Sequence, residues 1–303
     1  MVKEVVEYLN CQPNGVYVDG TLGSGGHSLE ILEYSSPDGR LIGIDCDKEA
    51  ISIARHKLED FRNRTTIVCD NFKNLSNILK DLEVYEVDGI LFDIGVSSIQ
   101  LGNKERGFSF RLEGPIDMRM DRSSVLRAFD LVNSLSLSQL EKILWKYGEE
   151  RFAKRIAKSI ADYRKTRPIE TTIQLADIVT SAIPGRFHSK KTHPATKTFQ
   201  AIRIAVNDEL INLEIAIQKG IDYLRKGGRL CIISFHSLED RIVKQSFKYF
   251  ERSCVCPPDM PVCNCQKESK IKILTKRPVL PSRAEIDRNP RSRTAKLRAA
   301  ERV

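Results

Sequence analysis

The sequence lacks any hydrophobic run that is long enough to cross a membrane. Its longest clean apolar stretches, such as Leu230 to Ser234, cover only a few residues, whereas a membrane-spanning helix needs about 20. The N-terminal residues carry an acid at Glu4 and no long apolar segment, which argues against a secretory signal peptide. We therefore expect a soluble, cytoplasmic protein with no membrane partner.

The composition also lacks the extremes that mark disordered or fibrous chains. Hydrophobic residues make up 41% and charged residues 29% of the sequence, which is close to the average of globular proteins. Disorder throughout the chain and a collagen-like structure are therefore excluded. A chain of 303 residues is long enough for about two domains and for a large core without disulfide bonds.

Positive charge is concentrated in two parts of the chain. The net charge is +9, and the 38 residues from 266 to 303 hold 12 basic and only 4 acidic side chains. A second stretch, Arg186 to Arg203, holds five basic residues and no acid. Such clusters favour a polyanionic partner, because each neutralised phosphate releases counterions. The alternative is a solvated basic surface, and charge alone leaves both open.

Strand and helix signals alternate in the first third of the chain and return near its end. Short apolar runs predict five strands, at Val16–Asp19, Arg40–Asp45, Thr65–Cys69, Asp88–Asp93 and Leu230–Ser234. Segments with helical spacing separate the first four of these runs. Strands that alternate with helices predict an α/β fold with an open parallel sheet.

Between these two regions the strand signal is almost absent, and apolar residues recur at helical spacing. We therefore predict that an all-helical domain, residues 106–195, is inserted into the α/β domain. The α/β domain would then comprise residues 1–105 and 196–303. The spacing of apolar residues from Phe199 to Ile217 predicts one long helix, and the chain from Ser282 onwards is expected to form a basic tail.

The segment from Asp19 to His27 contains four glycines and joins a predicted strand to a predicted helix. Glycines let a ligand approach the backbone closely, and a helix N-terminus offers N–H groups that lack partners within the helix. Position 28 is serine, so the dinucleotide pattern G-x-G-x-x-G/A is incomplete. Asp19, four residues before Gly23, is instead typical of S-adenosylmethionine-dependent methyltransferases. His27 either contacts the ligand or caps the following helix.

Acidic residues also end or follow the next three predicted strands. Asp45 is placed to accept hydrogen bonds from both ribose hydroxyls of a nucleotide, and Asp93 ends the fourth strand. Asp70 and Phe72 follow the third strand, where an adenine ring would lie; Phe72 either packs on the purine or belongs to the core. Ligands of such folds bind beyond the carboxyl ends of the strands, so these residues predict one nucleotide-type pocket.

Motifs along nearly the whole chain point to one family. They are Asp19–Ser28, Asp88–Ser98, Arg106–Phe110, Asp117–Asp121, Thr196–Arg203, Ser234–Arg241 and Leu297–Arg302. By these motifs the sequence resembles the bacterial ribosomal RNA small-subunit methyltransferase H family, also called MraW. Members usually begin with a short His-x-Pro-Val segment before the first helix. This sequence begins within that helix, so any pocket contact from such a segment is expected to be missing.

The resemblance implies a fold, a reaction and a set of cofactor-binding residues. The family fold is a Rossmann-like methyltransferase domain with an inserted helical domain, which we expect to recognise RNA. Its members methylate N4 of a cytidine in the decoding centre of 16S ribosomal RNA, so the implied cofactor is S-adenosylmethionine. The implied partner is that RNA within the small ribosomal subunit, and no obligate protein partner is expected. The family's cofactor-binding positions correspond here to Gly25, Gly26, His27, Asp45, Phe72, Asp93 and Gln100.

The implied reaction requires groups that align and deprotonate a cytosine amine. Asp93 is the candidate acceptor for the N4 hydrogen, through its carboxylate or through a nearby carbonyl. Because no Pro-Pro-aromatic segment follows Asp93, the aromatic that stacks on the base must come from elsewhere. Phe108 and Phe110 are the candidates, and Arg106 beside them is a candidate for RNA contact; the alternative is that the two aromatics only anchor the insertion. Trp145 is expected in the core rather than under a base.

Three further residues are candidates for RNA contact. Lys197 and Arg203 would bind phosphate, although Arg203 has an alternative as the ion-pair partner of Asp208 or Glu209. His236 follows the fifth predicted strand, and it either faces the substrate or has a structural role.

Four of the eight cysteines lie within 12 residues, at Cys254, Cys256, Cys263 and Cys265. Four thiolates suit tetrahedral zinc, although the C-x-C spacing is tighter than the usual C-x2-C. A structural zinc ion is one interpretation, and a reduced loop without metal is the other.

Two other functions remain open from the sequence alone. A non-catalytic RNA-binding protein would keep the pocket as a structural feature, and turnover would distinguish it from an enzyme. A nicotinamide-dependent oxidoreductase would share the pocket, but Ser28 and the basic segment 266–303 count against it.

Overall fold

The structure, a computed structural model, describes residues 1–189, 192–256 and 264–303. The chain forms two compact units. The sheet unit contains residues 1–95 and 210–303, and the helical unit contains residues 96–209. The helical unit extends beyond the predicted insertion at both ends.

The sheet unit alternates strands and helices, as its sequence pattern indicates. Its described strands are β1 (Val16–Asp19), β2 (Arg40–Asp45), β3 (Thr65–Cys69), β4 (Val87–Asp93), β5 (Leu224–Ser234), β6 (Ile271–Ile273) and β7 (Lys296–Arg302). Helices are numbered in chain order through both units. Those before the helical unit are α1 (Val2–Leu9), α2 (Gly26–Tyr34), α3 (Lys48–Lys57) and α4 (Leu75–Asp81).

The helical unit contains α5 to α10 among its described residues. They are α5 (Ser98–Gly102), α6 (Ala128–Ser134), α7 (Leu137–Gly148), α8 (Ala153–Tyr163), α9 (Thr172–Ala182) and α10 (Thr196–Asn207). The sheet unit continues with α11 (Glu209–Tyr223), α12 (Ser237–Glu251) and α13 (Arg283–Arg288). In the part of the chain that the structure describes, no helix combines the length and the apolar character that crossing a membrane requires.

The seven strands form one sheet in the order β3-β2-β1-β4-β5-β7-β6. Strands β1 to β5 pair in parallel, and β7 pairs antiparallel with both β5 and β6. Parallel strands that alternate with helices form a Rossmann-like α/β sheet, so the predicted fold class is confirmed. The strand order reverses at β1, which pairs with β2 on one side and β4 on the other. Open α/β sheets bind ligands beyond the strand ends at such a reversal.

The continuous apolar run in β4 serves two cores. Ile90 and Phe92 pack into one apolar cluster, and Leu91, between them, packs into another. All three side chains are fully buried. Because successive side chains of a strand point to opposite faces, both faces of the sheet are covered, which explains why the run is not interrupted by polar residues.

The expected basic tail is in part a buried strand. Within β7, the side chains of Leu297, Ala299 and Ala300 are fully buried. The charge of Arg298 is paired, because its Nε donates a hydrogen bond to Asp240 Oδ1 at 2.7 Å. Burial alone would raise the pKa of Asp240, but the cations at Arg298 and Lys296 outweigh it and lower that pKa. The sequence pattern did not predict this strand, because its small apolar residues lie between charged residues and give no long apolar run.

The predicted long helix from Phe199 to Ile217 is wrong, because the chain breaks it into α10 and α11. Asp208 lies between the two helices with φ of 50°, in the left-handed region. Phe199, on the first helix, packs in the core of the helical unit, whereas Leu213 and Ile217, on the second, pack in the sheet unit. The apolar spacing therefore continues across a boundary between units, which a periodicity alone does not reveal.

Candidate active site

Acidic residues lie at the carboxyl ends of four adjacent parallel strands, as predicted. Asp19, Asp45 and Asp93 are the last residues of β1, β2 and β4, and Asp70 directly follows β3. Asp70 is held in place, because its carboxylate accepts hydrogen bonds from the Asn71 backbone and from Asn74 Nδ2. The parallel register places all four residues at one edge of the sheet.

The loop that joins β1 to α2 is hydrogen-bonded to the strand on each side. The Gly23 N–H donates to Asp45 Oδ2 at 2.7 Å, and the Asp93 N–H donates to Thr21 Oγ1 at 2.6 Å. The second oxygen of Asp45 accepts from the Asp47 N–H at 2.8 Å. Asp45 is therefore fixed in orientation, and a carboxylate in this state keeps further lone pairs for a ligand.

Helix α2 begins at this loop and presents its N-terminus to the same edge. Gly25 precedes the helix with φ of 77°, a left-handed conformation that favours glycine. Among the residues that the structure describes, no side chain forms a capping hydrogen bond at this N-terminus, so His27 is not the cap. The N–H groups of the first helical turn suit an anionic group such as a carboxylate.

Asp19 is a buried carboxylate that accepts hydrogen bonds from a hydroxyl and a backbone N–H. Only 1% of its surface is exposed, and burial raises its pKa above the ordinary value. Ser28 Oγ donates to Asp19 Oδ2 at 2.7 Å, and the Thr21 N–H donates to Oδ1 at 3.1 Å. Serine at position 28, which breaks the dinucleotide pattern, thus supports the buried acid of the first strand.

His27 and Asp93 form the polar centre of the site. His27 Nε2 lies 3.5 Å from Asp93 Oδ2. Burial alone would lower the pKa of His27, but the hydrogen bond and charge of Asp93, with the charge of Asp19, raise it. Asp93 Oδ1 and His27 Nδ1 are both buried without a hydrogen-bond partner among the described residues. Buried polar atoms in proteins normally have partners, so both atoms suit polar groups of a ligand.

Phe72 lies beside this edge at the start of a short 3-10 turn after β3. Its ring centroid is 5.5 Å from that of Phe92, and the residue is half-buried. One side of the ring thus packs on the core of the sheet unit, while part of it remains accessible. The two interpretations of Phe72 are therefore compatible, and its contact with an adenine stays a prediction.

The structure places Phe235 against Gly95, two residues after Asp93, a contact that the sequence does not predict. Phe235 follows β5, and β5 pairs with β4 so that Asp93 lies opposite Ile233. Its ring approaches Gly95, where an added Cβ would lie 3.3 Å from the ring. Gly95 itself has φ of 126°, which favours glycine. The Phe235 N–H donates to Glu239 Oε2 at 2.8 Å. Only the pairing of β4 with β5 brings these segments together, so no local signal could have found it.

Most of the predicted substrate residues in the helical unit have structural roles. Arg106 is 1% exposed, and its guanidinium donates to the carbonyls of Arg119 and Met120, so the prediction that it contacts RNA is wrong. Phe108 is buried in the core of the unit, which favours anchoring over stacking on a base. Phe110 stacks on His193, with ring centroids 4.6 Å apart.

Gln100, Lys197 and Arg203 also have partners within the helical unit. The Ser97 N–H donates to Gln100 Oε1 at 3.0 Å as part of the cap of α5. Lys197 Nζ donates to the Glu149 carbonyl at 3.0 Å. Arg203 forms two hydrogen bonds to Glu209, of 2.8 and 2.9 Å, so its alternative as an ion-pair partner is confirmed. A cofactor role for Gln100 and a phosphate-binding role for Lys197 stay predictions.

Two other expectations change. His236 precedes α12, and its Nδ1 accepts a hydrogen bond from the Glu239 N–H at 3.4 Å. It therefore caps that helix, which is the structural alternative. Trp145 on α7 is 69% exposed, so the prediction that it belongs to the core is wrong. The apolar spacing correctly identified Leu140 and Leu144 as core residues, because both are buried on α7.

Three of the four clustered cysteines lie in described segments. The Sγ atoms of Cys254, Cys256 and Cys265 all lie within 4.8 Å of one another. Cys263, the fourth residue of the predicted zinc site, lies outside the described residues.

Comparison with known proteins identifies the family. Residues 1–303 match the sequence profile of the MraW methylase family. The chain belongs to that family. Two relatives, both named ribosomal RNA small subunit methyltransferase H, come from Geotalea uraniireducens (strain Rf4) and Syntrophus aciditrophicus (strain SB). They are 52% and 51% identical over 303 residues, which cover 100% of this chain and 97% and 96% of theirs. The predicted family is thus confirmed.

The sheet-edge residues of this MraW methylase fit the predicted cofactor chemically. A sulfonium and an ammonium group carry positive charge, which suits an edge with acids at four strand ends. The N-terminus of α2 suits the carboxylate of an amino acid. The fit rests on these charges and on the two buried atoms without partners, at Asp93 and His27.

We expect Ser28→Ala to destabilise the fold by about 1–3 kcal/mol, because it removes a hydrogen bond to a buried carboxylate. The pKa of Asp19 is raised in the folded protein, so its ionisation costs stability as the pH rises from the unfolded pKa towards the folded one. The loss should therefore be larger at about pH 7 than at about pH 4, because the Ser28 hydrogen bond favours the ionised form of Asp19. Urea denaturation at both pH values measures it.

The matched control for this prediction is Ser52→Ala. Ser52 is an exposed residue of α3, so its substitution should change stability by less than about 0.5 kcal/mol. Equal losses at both pH values would show that the Ser28 hydroxyl does not stabilise the ionised form of Asp19.

Proposed function

We propose that this MraW methylase transfers a methyl group from S-adenosylmethionine to the exocyclic N4 of a cytidine in the decoding centre of 16S ribosomal RNA, within the small ribosomal subunit. The proposal rests on the buried Asp93 Oδ1 at the end of β4, an acceptor that has no hydrogen-bond partner within the described part of the chain. The printed names of the two relatives support ribosomal RNA of the small subunit as the substrate. The sequence motifs support the cytidine N4 position.

The cofactor would be held by residues of the sheet edge. Asp45 would accept hydrogen bonds from the ribose hydroxyls, and Phe72 would pack on the adenine. The loop at Gly25 and Gly26, with the N-terminus of α2, would bind the carboxylate of the methionine part. Bound S-adenosylmethionine supplies a methyl group on a sulfonium, which is electrophilic and whose departure leaves a neutral thioether.

Asp93 would act on the cytosine amine. The N4 lone pair is delocalised into the ring, so the amine is a weak nucleophile until a hydrogen bond localises that lone pair. N4 would form a bond to the methyl carbon as the carbon–sulfur bond breaks, and the N4 proton would pass to Asp93. His27, 3.5 Å from the other carboxylate oxygen, would orient Asp93 before that transfer.

Phe235 replaces Phe108 and Phe110 as the candidate that packs against the target base. It is half-buried, it lies against the Gly95 backbone two residues after Asp93, and its backbone is fixed by Glu239. An aromatic ring at this place would hold the plane of a cytosine so that its amine reaches the strand end.

The central prediction is transfer to small subunits that lack this methylation. With labelled S-adenosylmethionine, the chain should produce N4-methylcytidine in amounts approaching one per subunit, as measured by mass spectrometry of digested RNA. Asp93→Asn keeps the shape of the side chain but removes the proton acceptor, so kcat should fall by at least about 10²-fold. The KM for S-adenosylmethionine should change much less.

Asp81→Asn is the matched control, because Asp81 is an exposed residue at the end of α4, and it should leave kcat unchanged. A different methylated nucleoside would refute the cytidine N4 assignment. Cofactor binding without any transfer would instead support a non-catalytic RNA-binding protein.

We expect Phe235→Leu to weaken productive RNA binding, because stacking on a base contributes about 1–3 kcal/mol. The kcat/KM for the small subunit should fall about 10-fold or more, with the affinity for S-adenosylhomocysteine unchanged. Phe250→Leu, at a half-buried position on α12, is the control and should leave kcat/KM within about twofold. An unchanged kcat/KM for Phe235→Leu would exclude the ring from base recognition.

RNA recognition by the helical unit is part of the same proposal. Trp145 is exposed on α7, and exposed lysines lie near it in sequence at Lys142 and Lys146. An exposed indole flanked by ammonium groups suits an unpaired base and its phosphates. This surface supports an RNA-binding role for the unit better than the buried Arg106 and Phe108 do.

We expect Trp145→Ala to reduce the affinity for small-subunit RNA about 10-fold or more, measured by filter binding at fixed salt. Its effect on fold stability should be small, since the side chain is exposed. Tyr85→Ala is the control, because Tyr85 is an exposed aromatic of the sheet unit (76% exposed). Equal affinities of both variants and the unmodified chain would remove Trp145 from the RNA interface.

A further inference from the structure

The cysteine cluster of the sheet unit has a geometry that the methyl-transfer site does not explain. Cys254 and Cys256 follow the end of α12 at Glu251, and Cys265 precedes β6, which begins at Ile271. The Sγ atoms of Cys254 and Cys265 lie 3.8 Å apart, although the two residues are 11 positions apart in the chain. The fold thus brings together thiols from both ends of the connection between α12 and β6.

The sulfur separations match metal coordination. Zinc binds thiolate sulfur at about 2.3 Å, so two sulfurs of one tetrahedral ion lie about 3.8 Å apart. The observed 3.8 Å between Cys254 and Cys265 agrees with this value, and it is far longer than the roughly 2.05 Å bond of a disulfide. Cys256 Sγ lies within 4.8 Å of both other sulfurs, so all three can reach one ion with small side-chain adjustments.

Backbone N–H groups are directed at two of the sulfurs. The Cys256 N–H donates to Cys254 Sγ at 3.4 Å, and the Val255 N–H donates to Cys265 Sγ at 3.5 Å. Hydrogen bonds of this kind stabilise the negative charge of metal-bound thiolates and fix the ligand orientation. They also show that the sulfurs are positioned by the backbone of the 254–256 turn.

A lysine side chain fixes the segment that contains Cys265 to the end of α12. Lys267 Nζ donates to the carbonyl of Tyr249 at 2.6 Å and to the carbonyl of Arg252, at the C-terminal end of α12. Cys265, two residues earlier, is thereby held near the turn that carries Cys254.

We propose that Cys254, Cys256 and Cys265 bind a structural zinc ion that ties the end of α12 to the segment leading to β6. Each thiol gives up its proton as its sulfur binds the ion, and no oxidation is involved. The soft thiolate donor set selects zinc over magnesium or calcium. The role is structural, and it is independent of the methyl-transfer reaction.

The test is the metal content of the full chain purified with a non-chelating reductant. Elemental analysis should find close to one zinc per chain. Cys254→Ser and Cys265→Ser should each reduce zinc to less than about one tenth, because serine is a poor zinc ligand. Cys69→Ser is the matched control, since Cys69 is an exposed cysteine at the end of β3, outside the cluster, and it should keep the metal.

A second measurement covers the case in which the serine variants fail to fold. The unmodified chain, freed of zinc and supplied with Co²⁺, should show the intense sulfur-to-cobalt absorption of a tetrahedral thiolate site, and added zinc should abolish it. A reduced, folded chain that takes up neither ion would overturn the proposal. So would zinc that remains fully bound in both serine variants, or a Cys254–Cys265 disulfide in place of metal.

Discussion

The loop after β1 is the constraint on which the candidate site depends. It is held on one side by the Gly23 bond to Asp45 and on the other by the Asp93 bond to Thr21. Because β1 lies between β2 and β4 in the sheet, one short loop fixes the ends of both neighbours. The separation of the two acidic side chains is thereby set by the sheet rather than by flexible connections.

This geometry concentrates carboxylates where the protein shields them from water. Burial raises the pKa of both Asp19 and Asp45, so their negative charge is costly in the absence of a cation. Neighbouring hydroxyl and backbone donors reduce that cost without removing it. A positively charged ligand is stabilised in the same environment. Burial of the carboxylates therefore both raises their pKa and favours a cationic ligand, which is the proposed selectivity.

The sequence predicted the parts of the fold that local patterns encode. The strand ends with their acids, the glycine loop and the helical insertion all have short-range signals. The sequence did not predict features that depend on distant contacts. Phe235 meets Gly95 only through the pairing of β4 with β5, and Arg106 is buried only because carbonyls more than ten residues away accept its hydrogen bonds. The helix break at Asp208 lies within an unbroken apolar spacing.

The strand order has a consequence for the order in which the chain can fold. Strand β4 pairs with β5, yet the whole helical unit is synthesised between them. Pairings between such distant segments form slowly, because the loop entropy is lost before the contacts form. During synthesis one edge of β4 therefore keeps its backbone N–H and C=O groups unpaired until more than a hundred further residues have been added, and such an edge can pair with other chains.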